Sequence, residues 1–114
     1  MISIYKENDK TFLFSRIDIN GAIIKTKPNG LWFTVRDKKG KTVIAKSLND
    51  GIVQKKDGSW EILILPSDTT NLEPDDNYFC DIKVLNESNK EYTILKPQTF
   101  KIMKVATEKE NQEG

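Results

Sequence analysis

Apolar residues recur at every second position along most of this chain, and Gly, Asn and Asp interrupt them about every ten residues. Period-two alternation puts one set of side chains on each face of an extended strand, so the pattern predicts short antiparallel strands joined by tight turns. No segment carries a sustained helical stripe.

The clearest strand is Leu31 to Asp37, where Leu31, Phe33 and Val35 share one face and Trp32, Thr34 and Arg36 the other. The first set is expected in the core. Lys38-Lys39-Gly40 reads as a hairpin loop, and in Lys41 to Ser47 the residues Val43 and Ala45 alternate with Thr42, Ile44 and Lys46. Asn49-Asp50-Gly51 breaks that pattern, and Asp57-Gly58 is a strong hairpin signal. Trp60, Ile62 and Ile64 then form one face, with Trp60 expected in the core, and Glu61, Leu63 and Leu65 the other. A strand apolar on both faces is central, covered by a loop, or part of an interface. Pro66 closes it, and Ser67 to Leu72 reads as a capped turn connecting two sheets. Tyr78, Cys80, Ile82 and Val84 are expected inward and Phe79, Asp81 and Lys83 outward. After a polar tip at Asn86 to Lys90, Tyr92 and Ile94 point inward, Pro97 interrupts, and Phe100 and Ile102 finish the sheet.

Nearer the N-terminus, Ile2 to Tyr5 is a short strand, and the step from Phe14 to Ile17 predicts a bulge or bend. Asn20-Gly21 and Pro28-Asn29-Gly30 read as turns. The count is seven to nine short strands in 114 residues, enough for one core and too few for two. The expected fold is all-β, an antiparallel immunoglobulin-like β-sandwich, with a small closed β-barrel as the alternative. A single domain is expected over residues 1–105, followed by a polar, frayed tail over 106–114.

Composition excludes several chemistries. With no histidine and one cysteine, the chain cannot build a Ser/His/Asp triad, a Cys/His dyad or a His/Cys zinc site from its own residues. Cys80 cannot form an intrachain disulfide, which fits a reducing compartment or a particle assembled inside a cell. Its inward position makes it a small buried hydrophobe more than a reactive thiol. Met1 to Lys10 has no apolar run or cleavage site, and no stretch approaches the roughly 18 apolar residues of a membrane span. No export signal and no membrane partner are expected.

A net charge of +1 offers no electrostatic reason to expect a polyanion. Lys38, Lys39 and Lys41, and then Lys55 and Lys56, sit beside glycine turns and read as solvated hairpin tips. Nucleic acid is not expected as a partner. The acidic cluster Glu73, Asp75 and Asp76, with Asp68 and Asp81 nearby in the chain, matches no calcium-loop spacing and reads as a turn. No metal or cofactor is expected. The candidate interface is Trp32, Leu63 and Leu65, because outward leucines on one strand would make an apolar patch. Trp32 either stacks on a sugar or a partner, or covers the second face under a loop or neighbouring strand; the sequence leaves both open.

Together these residues assemble a pattern: Leu31-Trp32-Phe33-Thr34-Val35-Arg36-Asp37, Lys46 to Ile52, Trp60-Glu61-Ile62, Pro66 to Leu72, Asn77 to Lys83, Tyr92-Thr93-Ile94 and Phe100-Lys101-Ile102. The pattern resembles the small immunoglobulin-like proteins encoded in phages and prophages of low-GC Gram-positive bacteria. Those proteins are similar to the N-terminal domain of siphophage baseplate upper proteins. The resemblance spans about Asp9 to Val105, and its most specific elements are the Asp68 to Leu72 turn and the Tyr78 to Lys83 strand. This chain departs from the pattern at Asp76, where a glycine is usual, and at Cys80, where an aromatic is usual.

The resemblance implies a non-enzymatic virion component, in the tail or baseplate, that works by protein-protein contacts with other virion proteins or with itself. Its expected location is the virion, with the host cytoplasm during assembly. In the turn, the resemblance has Asp68 and Thr69 as caps and Leu72 as a core plug. Whereas a baseplate upper protein continues into an attachment region, a free-standing version is implied here. The alternative is a carbohydrate-binding module on the particle surface, with Trp32, Tyr5 or Tyr92 stacking on a glycan.

Overall fold

The structure, a computed structural model, describes residues 2–14, 17–19, 22–24 and 27–104, and for 12–14, 17–19, 22–24, 75–76 and 95–97 the backbone alone. The expected tail over 106–114 and the Asn20-Gly21 turn lie outside the described residues.

The chain is all-β, as the alternation predicts. Its strands are β1 (Ile2–Tyr5), β2 (Lys10–Phe14), β3 (Ile17–Ile19), β4 (Ala22–Ile24), β5 (Gly30–Arg36), β6 (Thr42–Leu48), β7 (Gly51–Gln54), β8 (Trp60–Ile64), β9 (Asp75–Leu85) and β10 (Glu91–Met103). One helical turn, α1 (Pro66–Thr69), joins β8 to β9. Eight strands form one sheet in the order β1-β10-β9-β5-β6-β7-β8-β2, and β3 and β4 make a separate two-stranded ribbon, so the described residues hold ten strands where seven to nine were expected.

The sheet folds over between β6 and β7. Those strands run parallel and share only the Ser47–Gly51 and Leu48–Ile52 pairs, so the chain sidesteps from one half of the sheet to the other without reversing. Asn49 and Gly51 take left-handed backbone at φ 67° and 95° to make the step. A side chain at Gly51 would also overlap the aliphatic stem of Lys46. The break at Asn49-Asp50-Gly51 is therefore a corner between half-sheets.

The larger half is β1-β10-β9-β5-β6 and the smaller is β7-β8-β2. Their inward residues belong to one buried cluster: Ile4, Leu31, Phe33, Val35, Ile44, Tyr78, Cys80, Ile82, Val84, Phe100 and Ile102 from the first, and Ile52, Trp60, Ile62 and Ile64 from the second. Phe33 and Phe100 pack tilted at 55° with ring centroids 6.1 Å apart. Each such side chain contributes about 1.5–3 kcal/mol by leaving water, which is what holds the halves together.

The edge strands β1 and β2 are consecutive in the chain. The sheet is thus nearly closed, with the N-terminal segment running along one edge and returning along the other. Pro97 does not end a strand: β10 passes through it, because register shifts between Thr93 and Leu95 and between Leu95 and Gln98 put the proline in an irregular stretch. A residue without an N–H is tolerated where the ladder is already broken.

Candidate interaction surface

On the outer face of the larger half, strand alternation and register fix the neighbours. Trp32 lies between Ser47 on β6 and Lys83 on β9, and Thr34 between Ala45 and Asp81. Arg36 pairs with Phe79, and Phe79 on its other side with Thr99 on β10. Trp32, Phe79 and, on β1, Tyr5 are 39%, 48% and 49% exposed. Lys83 extends this polar frame with an exposed ion pair to Glu91 at 3.5 Å.

The Trp32 indole is pressed against its own strand. A Cβ at Gly30 would overlap the outer carbons of the ring, so Gly30 is needed for this close approach and not for a positive φ. Asn29, just before it, anchors the start of β5 to the β9–β10 tip, donating its backbone N–H to the Leu85 carbonyl and its Nδ2 to Asn89 Oδ1, both at 2.9 Å. The outer ring of the indole thus packs over Gly30, and the side chain as a whole remains 39% exposed. Trp32 and Phe79 are separate points, since Trp32 and Arg36 stand roughly 13 Å apart along β5.

The other two candidate residues sit elsewhere. Leu63 points outward from β8 on the smaller half, opposite Thr11 of β2, and is half-buried. Leu65 follows β8 and is 49% exposed. The candidate residues therefore belong to different half-sheets, Trp32 to β5 of the larger and Leu63, with Leu65 just after it, to β8 of the smaller. Phe79 is the exposed aromatic that shares the Trp32 face, and its signal was the outward position beside Tyr78 and Cys80. Tyr92 packs partly buried against the core, leaving Trp32 and Tyr5 as the exposed aromatics of the proposed stacking set.

The turn after β8 acts as a junction. Asp68 Oδ2 accepts the Leu65 N–H at 2.7 Å and pairs with Lys46 Nζ at 2.8 Å, tying α1 to β6. Thr69, fully buried, accepts the Glu7 N–H on Oγ1 at 2.7 Å and so holds the link between β1 and β2. Leu72 packs partly buried against the core. Beyond it, Tyr78 donates its hydroxyl to the Glu73 carbonyl at 2.9 Å. A tyrosine two residues before a core cysteine position, bonded back to upstream backbone, is a recurring corner in immunoglobulin-like sandwiches. Sequence reasoning missed this bond, although Tyr78-Phe79-Cys80 carried its spacing.

Burial, helped by the charge of Asp81, pushes the Cys80 thiol up to about 11, so it stays protonated at neutral pH and is a poor nucleophile. Among the described residues, no three His, Cys, Asp or Glu side chains converge on one point. The lysines of the 37–41 tip and the 55–59 tip are at opposite ends of the sheet, because β5 runs to the first tip and β6 and β7 run away from it to the second. They form two local clusters and no common basic face. At the second tip, two hydrogen bonds from Ser59 hold the Asp57 carboxyl below its ordinary range. No helix among the described residues is long and apolar enough to cross a membrane. The chain matches no family model and no curated protein.

Proposed function

We propose that this chain is a non-enzymatic structural or accessory protein of a phage virion, associated with the tail or baseplate and acting through protein-protein contacts. It is made in the host cytoplasm and works in the particle, against other virion proteins or further copies of itself. The resemblance of its turn and Tyr78 to Lys83 strand supports this reading, and one structural observation carries it. The outer face of the larger half-sheet offers three exposed aromatics, Trp32 and Phe79 beside Arg36 and Lys83, and Tyr5 on the edge strand β1. Aromatic and arginine side chains are the groups that dominate binding energy at protein interfaces. Mass spectrometry of purified particles should find the chain at a fixed ratio to the major tail protein, and Trp32→Ser with Phe79→Ser should lower that ratio. Particles that lack the chain would overturn the proposal.

A second reading, surface glycan binding, is favoured by the exposed Trp32 indole packed over Gly30 with Ser47 and Lys83 alongside. A flat aromatic with polar neighbours suits the apolar face of a sugar ring. A glycan array should then give hits that Trp32→Ser abolishes, and an array without hits removes this reading.

A further inference from the structure

We infer that β1 is an exchangeable strand: in a second state of the protein, Ile2–Tyr5 of one copy lies beside β10 of another copy, and the reverse. This goes beyond the virion reading and does not depend on it.

The grip on β1 is local and transferable. The strand has four residues and one neighbour, β10, in the parallel register Ile2–Phe100, Ser3–Lys101, Ile4–Ile102 and Tyr5–Met103. Ile4 is 2% exposed and Ile2 packs partly buried on the core, so the strand is held by a plug in a slot. A second copy carries the same strand and can refill the slot in the same register. Every β1–β10 contact of the monomer then reappears in the pair, which is the condition that makes strand exchange a low-cost route to a dimer.

What differs between the two states is the elbow, residues 6–9. Glu7 has φ 61°, a left-handed conformation that a side chain disfavours. Its N–H is held by Thr69 Oγ1, and the Asn8 N–H reaches the Tyr5 carbonyl at 3.2 Å. The Lys6 N–H donates to the Met103 carbonyl of β10 at 2.9 Å and crosses over with the strand, so straightening the elbow beyond it gives up the Glu7 and Asn8 bonds and releases the left-handed backbone. Glu7, Asn8 and Asp9 are exposed, so the change uncovers no core side chain of their own. The closed monomer is therefore favoured chiefly by the Thr69 clamp and opposed by the Glu7 backbone.

The test uses register partners in a Cys80→Ala background. Copies with Ser3→Cys alone are mixed with copies carrying Lys101→Cys alone, warmed near the unfolding midpoint at high concentration, cooled and oxidised. The expected product is a covalent heterodimer whose linked peptides join positions 3 and 101. One chain carrying both cysteines, oxidised when dilute, should close on itself and proves that the geometry permits the link.

Thr69→Val should raise the dimer association constant about ten-fold or more, because both elbows lose their clamp in the closed form only. Glu7→Gly should lower it about ten-fold, since glycine accepts the left-handed elbow without strain. A mixture that gives no 3–101 link while the double-cysteine chain closes would overturn the inference. So would a dimer that ignores both elbow substitutions and disappears with Trp32→Ser, since that dimer forms through the sheet face.

Discussion

The two half-sheets share one core but finish differently on the outside. β5 and β8 follow the same rule, sending Leu31, Phe33 and Val35 or Trp60, Ile62 and Ile64 inward, and each carries an apolar residue at an outward position. On β5 that residue, Trp32, stays 39% exposed although its indole packs over Gly30. On β8 it is Leu63, which ends half-buried opposite Thr11. An outward apolar residue is thus a candidate contact point only where the fold leaves it exposed, and its place in the alternation does not say where that is. Alternation tells which side a residue is on, and the neighbouring strands set how much of it meets water.

That comparison can be broken at its base or sharpened at its surface. The largest effects belong to the shared core. Phe33→Ala on the larger half should cost about 3–5 kcal/mol by chemical denaturation and Ile62→Ala on the smaller about 2–5 kcal/mol, because each leaves a cavity in a buried cluster. Near- and far-ultraviolet circular dichroism should still report one transition in both variants. Two separable transitions would mean that the halves do not share a core.

Next is the corner that orients β9. Tyr78→Phe keeps the ring and removes the bond to Glu73, so a loss of about 1–2 kcal/mol is expected. Loss of under a few tenths would show that ring packing alone makes the corner.

The outward residues come third and test the contrast itself. Leu63→Ser should cost about 1 kcal/mol for its half-buried side chain, while Trp32→Ser, which removes the larger indole packed over Gly30, should cost about 2 kcal/mol. Gly30→Ala in a Trp60→Phe background should shift the Trp32 emission by lifting the indole off the strand. Equal costs at the two outward positions would mean that the packing over Gly30 contributes nothing.

The smallest effect near neutral pH comes from Cys80. Its thiol titrates higher in the fold, at about 11, than its ordinary value of 9.0, so the folded state holds the proton more tightly. The corresponding stability is complete below about pH 9 and is lost as pH rises toward 11. Denaturation midpoints across that window should fall more steeply for the native chain than for Cys80→Ala. Alkylation of the folded protein at pH 8 should likewise be far slower than after unfolding.

Much of the fold was legible. The inward faces of β5, β8, β9 and the end of β10 follow directly from alternation, and the tips at Gly40, Gly58 and Asn89 have the positive φ that their turn residues promise. The Asp68-Thr69 turn was readable as a cap, because short polar side chains beside free N–H groups have few other uses. Its partners were not. Lys46 and Glu7 are 22 and 62 positions away from the residues that hold them, and no local pattern encodes such pairings. The candidate site was half legible for the same reason: Trp32 was placed outward correctly, while its separation from Leu63 and its shared face with Phe79 depend on which strands are neighbours.

By itself the sequence determined strand faces, turn positions, the buried neutral thiol and the absence of the residues that histidine-dependent catalysis needs. These are properties of a residue and its near neighbours, set by backbone sterics and the two-residue period of a strand. Tertiary structure alone decided that β1 would run parallel to β10, that Asn49-Asp50-Gly51 would carry the chain sideways between half-sheets, and that β10 would absorb Pro97. Closing a longer loop costs little more than closing a short one, so chain distance hardly biases the choice of partner strand. The choice falls to whichever arrangement lets the inner faces fill one core, and that is a property of all the strands at once.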